Sequence, residues 1–223
     1  MSHRTPSVGD FCNLKALEGP GLTANMLVGG VAHAHGILDM IDTKLVSESG
    51  ERLSSMIELA NLSSVVGNLL GAGIAKASDG LFKRNGPHKY PDLLAQKPPA
   101  KDVEIKVALE TNKPKGHLAK AGYYVTCRYV LCDEAGAYTH GKDRRGSVVW
   151  IWEIRCGYLE TKHLNLSNTA GDSGKTAVLN TEGLAALQVV YCDLTMCPFS
   201  LRSKLRRHYT ETYGRLSSSE KLF

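Results

Sequence analysis

The spacing of apolar residues changes midway along this chain, and that change constrains the fold more than any other feature. Within residues 53–70, apolar side chains recur at three- and four-residue steps, which is typical of a helix that buries one stripe. Beyond residue 90 the spacing becomes two, most clearly in residues 123–131 and 148–156, which predicts strands. A shorter extended run covers residues 103–109. A long helix followed by several strands predicts an α/β fold.

Other segments are less regular. Residues 1–20 contain a Gly-Pro-Gly break and predict an irregular arm. The run that follows, residues 23–44, predicts a helix in pieces, broken by Gly29, Gly30 and Gly36. We expect the long helix to begin after a cap at Ser49 and to end at Asp79-Gly80.

The C-terminal third predicts a helix at residues 181–186, a strand at 187–191 and a basic amphipathic helix at 200–214, with a flexible loop at 165–175. The loop sequence GDSGKT lacks the full spacing of a phosphate-binding P-loop, so we do not expect one there.

A chain of 223 residues is long enough to form one domain with a real core. We expect a single domain in three parts: residues 1–50 as an N-terminal arm and helices that could supply dimer contacts, residues 51–156 as the core, and residues 157–223 as a C-terminal part with a loop and a basic helix.

Composition narrows the class of protein. A net charge of +5 and a pI of about 8.8 permit binding to a polyanion. The N-terminal MSHRTPSVGDF lacks the apolar core of a secretory signal, so we expect a cytoplasmic protein whose six cysteines are reduced. Cys192 and Cys197 have a gap that a zinc site could use, but no second pair follows. The longest uncharged run, residues 59–75, is short and polar for a membrane span, so no membrane partner is expected.

The stretch YPDLLAQKPPAKDVEIK brings two acids and a lysine between extended runs. Prolines cannot continue a ladder, so we expect a hairpin that turns near Pro98 and Pro99. In that register Asp92 lies opposite Lys106 and diagonal to Glu104, at about 5 Å and about 7–8 Å between Cβ atoms. Glu104 and Lys106 are two residues apart on a strand, so they project from one face. The three side chains are expected to form one patch.

This combination of residues suits a metal-dependent reaction. Two adjacent carboxylates repel each other unless a cation or a proton relieves the repulsion, and Mg²⁺ binds a few carboxylate oxygens while keeping several waters. Such a metal could polarise a phosphate and lower the pKa of an attacking water. Lys106 would then contact the scissile phosphate or orient the water.

These residues resemble a known motif. Pro91-Asp92, followed after a short hairpin by Glu104-Ile105-Lys106, is similar to the PD-(D/E)XK motif of type II restriction endonucleases and related nucleases. The resemblance covers about residues 51–156. It implies a central mixed β-sheet flanked by helices, Mg²⁺ as cofactor, Asp92 and Glu104 as metal ligands, and Lys106 as catalytic lysine. An acid on the preceding helix sometimes joins such sites, which implies Glu58 as a further metal ligand and Glu51 after it.

Basic and amide side chains elsewhere are candidates for binding DNA. The segment after the proposed catalytic strand could enter a groove, and the other arginines and lysines are natural phosphate contacts. A solvated surface would have the same composition. The candidates are Asn112, Lys113, Lys115, His117, Lys120, Arg144, Arg145, Arg202, Lys204, Arg206 and Arg207.

The resemblance and the charge pattern together predict a type II restriction endonuclease that acts on double-stranded DNA as a homodimer, because two copies of one site would cut the two strands of a palindrome symmetrically. Two alternatives stay open. One is a nuclease that cuts damaged or branched DNA, and the other is a DNA-binding protein without catalysis, in which Asp92, Glu104 and Lys106 form a structural ion-pair cluster.

Overall fold

The computed structural model describes residues 4–86, 89–116, 119–167 and 176–214. A six-stranded mixed sheet lies at its centre, with strand order β1-β2-β3-β5-β6-β9, and helices flank it, so the predicted α/β class with a central mixed sheet is confirmed. Only β3 and β5 pair in parallel within this sheet. The six strands are β1 (Phe82–Arg84), β2 (Leu93–Ala95), β3 (Val103–Leu109), β5 (Gly122–Cys132), β6 (Val148–Leu159) and β9 (Gln188–Cys192).

A second, three-stranded sheet has the order β4-β8-β7. Its strands are β4 (Lys115–Gly116), β7 (Leu164–Ser167) and β8 (Thr176–Leu179). β7 includes the first three residues of the predicted flexible loop at 165–175, and β8 begins directly after that loop. The other loop residues, 168–175, lie outside the described part of the chain.

The helices are α1 (Lys15–Glu18), α2 (Ala24–Ser49), α3 (Leu53–Met56), α4 (Leu59–Ala77), α5 (Thr181–Ala186) and α6 (Lys204–Tyr213). α2 and α4 pack on one face of the central sheet. Their buried residues, such as Leu27, Val66 and Ile74, join Val103, Ile105 and other inward residues of the strands in the main core. This apolar surface, which we expected at a dimer contact, is therefore largely used within the chain.

The prediction of an interrupted N-terminal helix was wrong, because α2 is continuous. Its glycines serve a close helix crossing: a Cβ built on Gly73 of α4 would lie 2.7 Å from the Cα of Gly30 and 2.8 Å from the carbonyl oxygen of Gly29. The Thr23 side chain caps the helix by accepting a hydrogen bond from the Met26 amide at 3.3 Å. Ser49, predicted as the cap of the next helix, is instead the last residue of α2.

The predicted long helix is divided in two. Ile57 and Glu58 have extended backbone angles between α3 and α4. The Asp42 carboxylate accepts a hydrogen bond from the first amide of α3, at Leu53, at 2.9 Å. Ile57 packs against the main core. Contacts with α2 and the core therefore hold a turn that the apolar spacing alone did not indicate.

The opposite face of the central sheet is covered by two different elements. The small sheet packs over Tyr124 and Leu159 near one end, and α6 packs over Trp152 and Val130 near the other. The predicted basic helix is confirmed as α6, but its apolar side is only partly buried: Tyr209 is 2% exposed, whereas Leu205 is 53% exposed. Across the described residues, no helix combines the length and the apolar character needed to span a membrane.

Candidate active site

The hairpin at the edge of the central sheet sets the position of the first acid. β2 and β3 are antiparallel with Leu93 paired to Val103, so continuing the register places Asp92 across from Glu104. The predicted pairing of Asp92 with Lys106 was therefore wrong. The Asp102 carboxylate accepts a hydrogen bond from the Ala95 amide at 2.9 Å, which closes the hairpin with a side chain and shifts the turn.

Hydrogen bonds hold Asp92 in this position. One of its carboxylate oxygens accepts a bond from the Ile105 amide at 2.8 Å. On the preceding side, the Asn85 amide donates to the Asp92 carbonyl oxygen at 3.0 Å, and the Asn85 side chain donates to the Pro91 carbonyl oxygen at 2.9 Å. Hydrogen bonds from Ile105 on one side and from Asn85 on the other therefore fix the position of Asp92.

Glu104 and Lys106 project from one face of β3, as predicted. Lys106 Nζ donates a hydrogen bond to Glu104 Oε1 at 2.8 Å, and the lysine is only 4% exposed. Burial raises the pKa of Glu104; the Lys106 charge opposes this rise and the Asp92 carboxylate reinforces it. Burial is the largest of these effects, so Glu104 is a half-buried acid whose ionisation is favoured by Lys106 and opposed by Asp92.

Tyr124 is a member of this cluster that sequence reasoning missed. The parallel pairing of β3 with β5 places it directly beside Glu104. Its ring lies with its centroid 5.9 Å from Lys106 Nζ, and its hydroxyl donates to the Lys120 carbonyl oxygen at 2.6 Å. The sequence did contain a pattern that could have identified it. In the alternating strand β5, the more polar positions are Tyr124, Thr126 and Arg128, and these face the same way as Glu104 and Lys106.

The strand β4 covers Lys106. A methyl group built on Gly116 would overlap the ammonium and would lie 2.9 Å from Lys106 Cε. A glycine at this position therefore permits the close approach of β4 to the lysine. This segment connects β3 to β5, and β4 also pairs with β8 of the small sheet.

The structure does not bring Glu58 to the other acids. Helix α4 runs antiparallel to β3, because built Cβ atoms on Gly67 and Gly71 would each lie 3.0 Å from Val107 and Ile105 respectively. Glu58 precedes α4, so it lies about 20 Å from Gly71 at 1.5 Å per residue, toward the far end of β3 from Glu104. Its side chain is exposed.

The predicted DNA-binding residues after β3 are mostly on the surface. Asn112, Lys113 and Lys115 are exposed, and Lys113 Nζ donates to the Thr181 hydroxyl at 3.0 Å. Lys120 is also exposed, with Nζ 4.6 Å from the centroid of the Tyr90 ring. His117 lies outside the described residues.

The remaining candidates for DNA binding differ in whether their side chains already bond to other residues of the protein. Arg145 is bonded twice to Glu110, at 2.7 and 2.8 Å, whereas Arg144 is exposed. On α6, Arg206 donates to the Cys197 carbonyl oxygen at 3.2 Å, and Lys204 and Arg207 are exposed. Arg202, just before the helix, is exposed as well.

A second charged cluster lies beside the first on the same sheet face. Arg128 and Arg155 both bond to the Glu153 carboxylate, Arg155 at 2.9 Å, and the Tyr209 hydroxyl of α6 donates to it as well. Glu153 is 1% exposed. Burial opposes its ionisation, but the charges of Arg128 and Arg155 outweigh that effect and lower its pKa.

The acid pair fits a divalent cation of the Mg²⁺ type. Mg²⁺ is commonly held by one or two carboxylates together with waters and substrate phosphates. Asp92 and Glu104 supply two carboxylates that lie across from each other on neighbouring strands. Within the described ranges, no group of three or more histidine, cysteine or acidic side chains is arranged to hold a metal, and all six cysteines are free thiols.

Comparison with known proteins leaves the chain without an assigned family: no protein-family model matches it, and a search of curated proteins found no matching relative.

Proposed function

We propose that the protein is a Mg²⁺-dependent endonuclease of the PD-(D/E)XK type that hydrolyses phosphodiester bonds of double-stranded DNA, as type II restriction endonucleases do. One observation carries the proposal: the hairpin register places Asp92 across from Glu104, and Lys106 Nζ bonds to Glu104 at 2.8 Å, so that two acids and a lysine lie on one patch.

Each residue has a role that follows from its chemistry. Asp92 and Glu104 would hold the metal, which when bound supplies a Lewis acid and lowers the pKa of water. Lys106 has three N–H donors, of which Glu104 takes one, so the others can bind an oxygen of the scissile phosphate. The Ile105 amide holds the Asp92 carboxylate, and the hydrogen bond to Glu104 holds the Lys106 ammonium. These two groups, which face the substrate, therefore keep a fixed relative position.

The basic surface supports a polyanionic substrate. α6 lies on the same sheet face as the acid pair. Its Tyr209 hydroxyl accepts a hydrogen bond from Arg155 of β6. Arg155 pairs with Thr126 of β5, which in turn pairs with Lys106 of β3, so the three side chains share one face. In the proposed complex, the exposed Lys204 and Arg207 contact backbone phosphates of a duplex that also reaches the acids. A homodimer, which symmetric cleavage of a palindrome needs, is part of this proposal, and light scattering tests it.

The test is incubation of the purified protein with phage genomic DNA, with and without Mg²⁺, followed by gel electrophoresis. We expect discrete Mg²⁺-dependent bands, and no cleavage by Asp92→Asn, Glu104→Gln or Lys106→Ala, each of which should still bind DNA. The chain offers a matched control: Glu160 and Lys162 have the same Glu-x-Lys spacing, bond to each other at 2.9 Å and are exposed. Glu160→Gln and Lys162→Ala should cleave as the wild type does.

Other outcomes decide between the alternatives. A Mg²⁺-dependent smear, or cleavage only of branched DNA, indicates a nonspecific or structure-specific nuclease that uses the same residues. Intact DNA on all substrates, with binding retained, indicates a DNA-binding protein and contradicts the proposal. Full activity in Glu104→Gln removes the acid pair from the mechanism. Glu58→Gln should retain activity, because Glu58 lies far from Glu104.

A further inference from the structure

We propose that Lys120 is a second phosphate-binding residue of this site, and that Tyr124 and Tyr90 are positioning residues that hold it beside Lys106. The proposal rests on the proposed function, since its ligand is the DNA phosphodiester that neighbours the scissile one. It assigns a site role to a lysine that the sequence placed only in a general basic loop.

The first step of the argument is that Tyr124 connects the two lysines. Its buried ring faces the Lys106 ammonium, 5.9 Å from the centroid, and its hydroxyl bonds to the backbone carbonyl of Lys120 at 2.6 Å. Residues 119–121 have no helix or strand of their own. The backbone of Lys120 is therefore anchored by a side chain that belongs to the acid–lysine cluster.

The second step concerns the side chain of Lys120. Its ammonium lies 4.6 Å from the centroid of the Tyr90 ring, a cation–π distance. A Cβ built on Gly122 would lie 3.0 Å from the Tyr90 hydroxyl, so this ring packs against β5 immediately beyond Tyr124. Tyr90 also precedes Pro91-Asp92, so the same ring that holds Lys120 belongs to the segment that carries the first acid.

The charges give the third step. Lys106 is buried and bonded to Glu104, so it can meet only an anion that enters the site. Lys120 is exposed and forms no salt bridge with any of the described residues, and the Tyr90 ring contacts its ammonium without adding a negative charge. An exposed cation that a ring holds beside a buried lysine suits the next phosphate along a nucleic acid strand, which carries one negative charge per nucleotide.

The experiment measures binding of a short fluorescent DNA duplex without divalent metal, as a function of salt, so that it does not depend on cleavage. Lys120→Met should reduce the slope of log affinity against log salt by about 0.9, the value for one phosphate contact. Lys162→Met, which removes an exposed lysine elsewhere, should leave the slope unchanged. Lys120→Arg should restore most of it.

The roles of Tyr124 and Tyr90 are tested by substituting each of them in the wild type and in the Lys120→Met variant. Tyr124→Phe keeps the ring and every charge but loses the bond to Lys120, and Tyr90→Leu, a half-buried surface change, removes the ring beneath it. Both should weaken binding in the wild type and have no further effect in Lys120→Met. A merely structural role would weaken binding equally in both backgrounds, and that result overturns the positioning role.

The outcomes separate this inference from the nuclease proposal. A wild-type salt slope in Lys120→Met overturns the inference even if genomic DNA is cleaved and Lys106→Ala is inactive. A reduced slope together with intact genomic DNA keeps the phosphate contact and contradicts the nuclease.

Discussion

The sheet face opposite α2 and α4 carries two charged clusters, one around Glu104 and one around Glu153, and both contain a buried or half-buried glutamate. Glu153 meets two arginines and a tyrosine hydroxyl. Glu104 meets one lysine and a second acid. The pKa of Glu153 is lowered and that of Glu104 is raised, although burial acts in the same direction on both.

This difference separates a structural cluster from a candidate active site. Around Glu153 the protein supplies positive charges that exceed the negative one, so the acid is satisfied without any ligand. Around Glu104 burial and the neighbouring Asp92 carboxylate outweigh the single lysine and keep the pKa raised, so a bound cation would favour the ionised form. Perturbed pKa values occur in both kinds of cluster, and the direction of the shift together with the identity of the partners distinguishes them.

The largest expected effect comes from breaking the satisfied cluster. Glu153→Gln leaves Arg128 and Arg155 buried without a counter-charge, and loss of one partner of a buried ion pair costs about 3–5 kcal/mol. For a chain of this size, that corresponds to a decrease in Tm of about 6–20 °C. Calorimetry measures the shift, and exposed Glu160→Gln, as the matched control, should melt at the wild-type temperature. A Tm within a degree of wild type would show that the arginines are satisfied without Glu153.

The second expected effect is that the loss of stability in Glu153→Gln depends on pH. Because the folded pKa of Glu153 is lowered, its stabilisation is present above the unfolded value of about 4.3 and is lost as the pH falls further. Urea unfolding at several pH values should therefore show the full difference between wild type and Glu153→Gln near neutrality and a shrinking difference below about pH 4.3. A difference independent of pH would contradict the assignment of the effect to the Glu153 charge.

The smallest effect is expected at the unsatisfied cluster and has the opposite sign. Asp92→Asn keeps an oxygen for the Ile105 amide but removes the repulsion of Glu104, so without divalent metal we expect stability near neutral pH to rise by up to about 1 kcal/mol. Because the pKa of Glu104 is raised, its ionisation destabilises the fold only when the pH is above the ordinary pKa of a glutamate. The gain in stability of Asp92→Asn should therefore vanish near about pH 4. Chemical denaturation of wild type and variant in EDTA measures it. A clear loss of stability would place Asp92 with the structural residues.

Much of the fold was predictable because it depends on local periodicity. The alternating runs at residues 103–109, 123–131 and 148–156 became β3, β5 and β6. The same alternation placed Glu104 and Lys106 on one face of β3, which the structure confirms. These predictions need only the two-residue repeat of a strand, which each segment carries in itself.

The predictions that failed depend on contacts that lie outside the periodic pattern of a single helix or strand. The continuity of α2 depends on Gly73 of another helix, and the hairpin register depends on the Asp102 side chain. The start of α3 at Leu53 depends on Asp42, eleven residues earlier. In each case a partner outside the segment's own repeat outweighs the local preference of the segment.

The sequence by itself determined the long strands β3, β5 and β6 and that the Glu104 and Lys106 side chains point the same way, since both follow from a repeat of two residues. Only the tertiary structure decided which groups surround them. The parallel pairing of β3 with β5 brings Tyr124 beside Glu104, the hairpin register brings Asp92 opposite it, and the direction of α4 keeps Glu58 away. Strand pairing and helix direction depend on how segments far apart in the chain bury their apolar faces together, and no single segment contains that information.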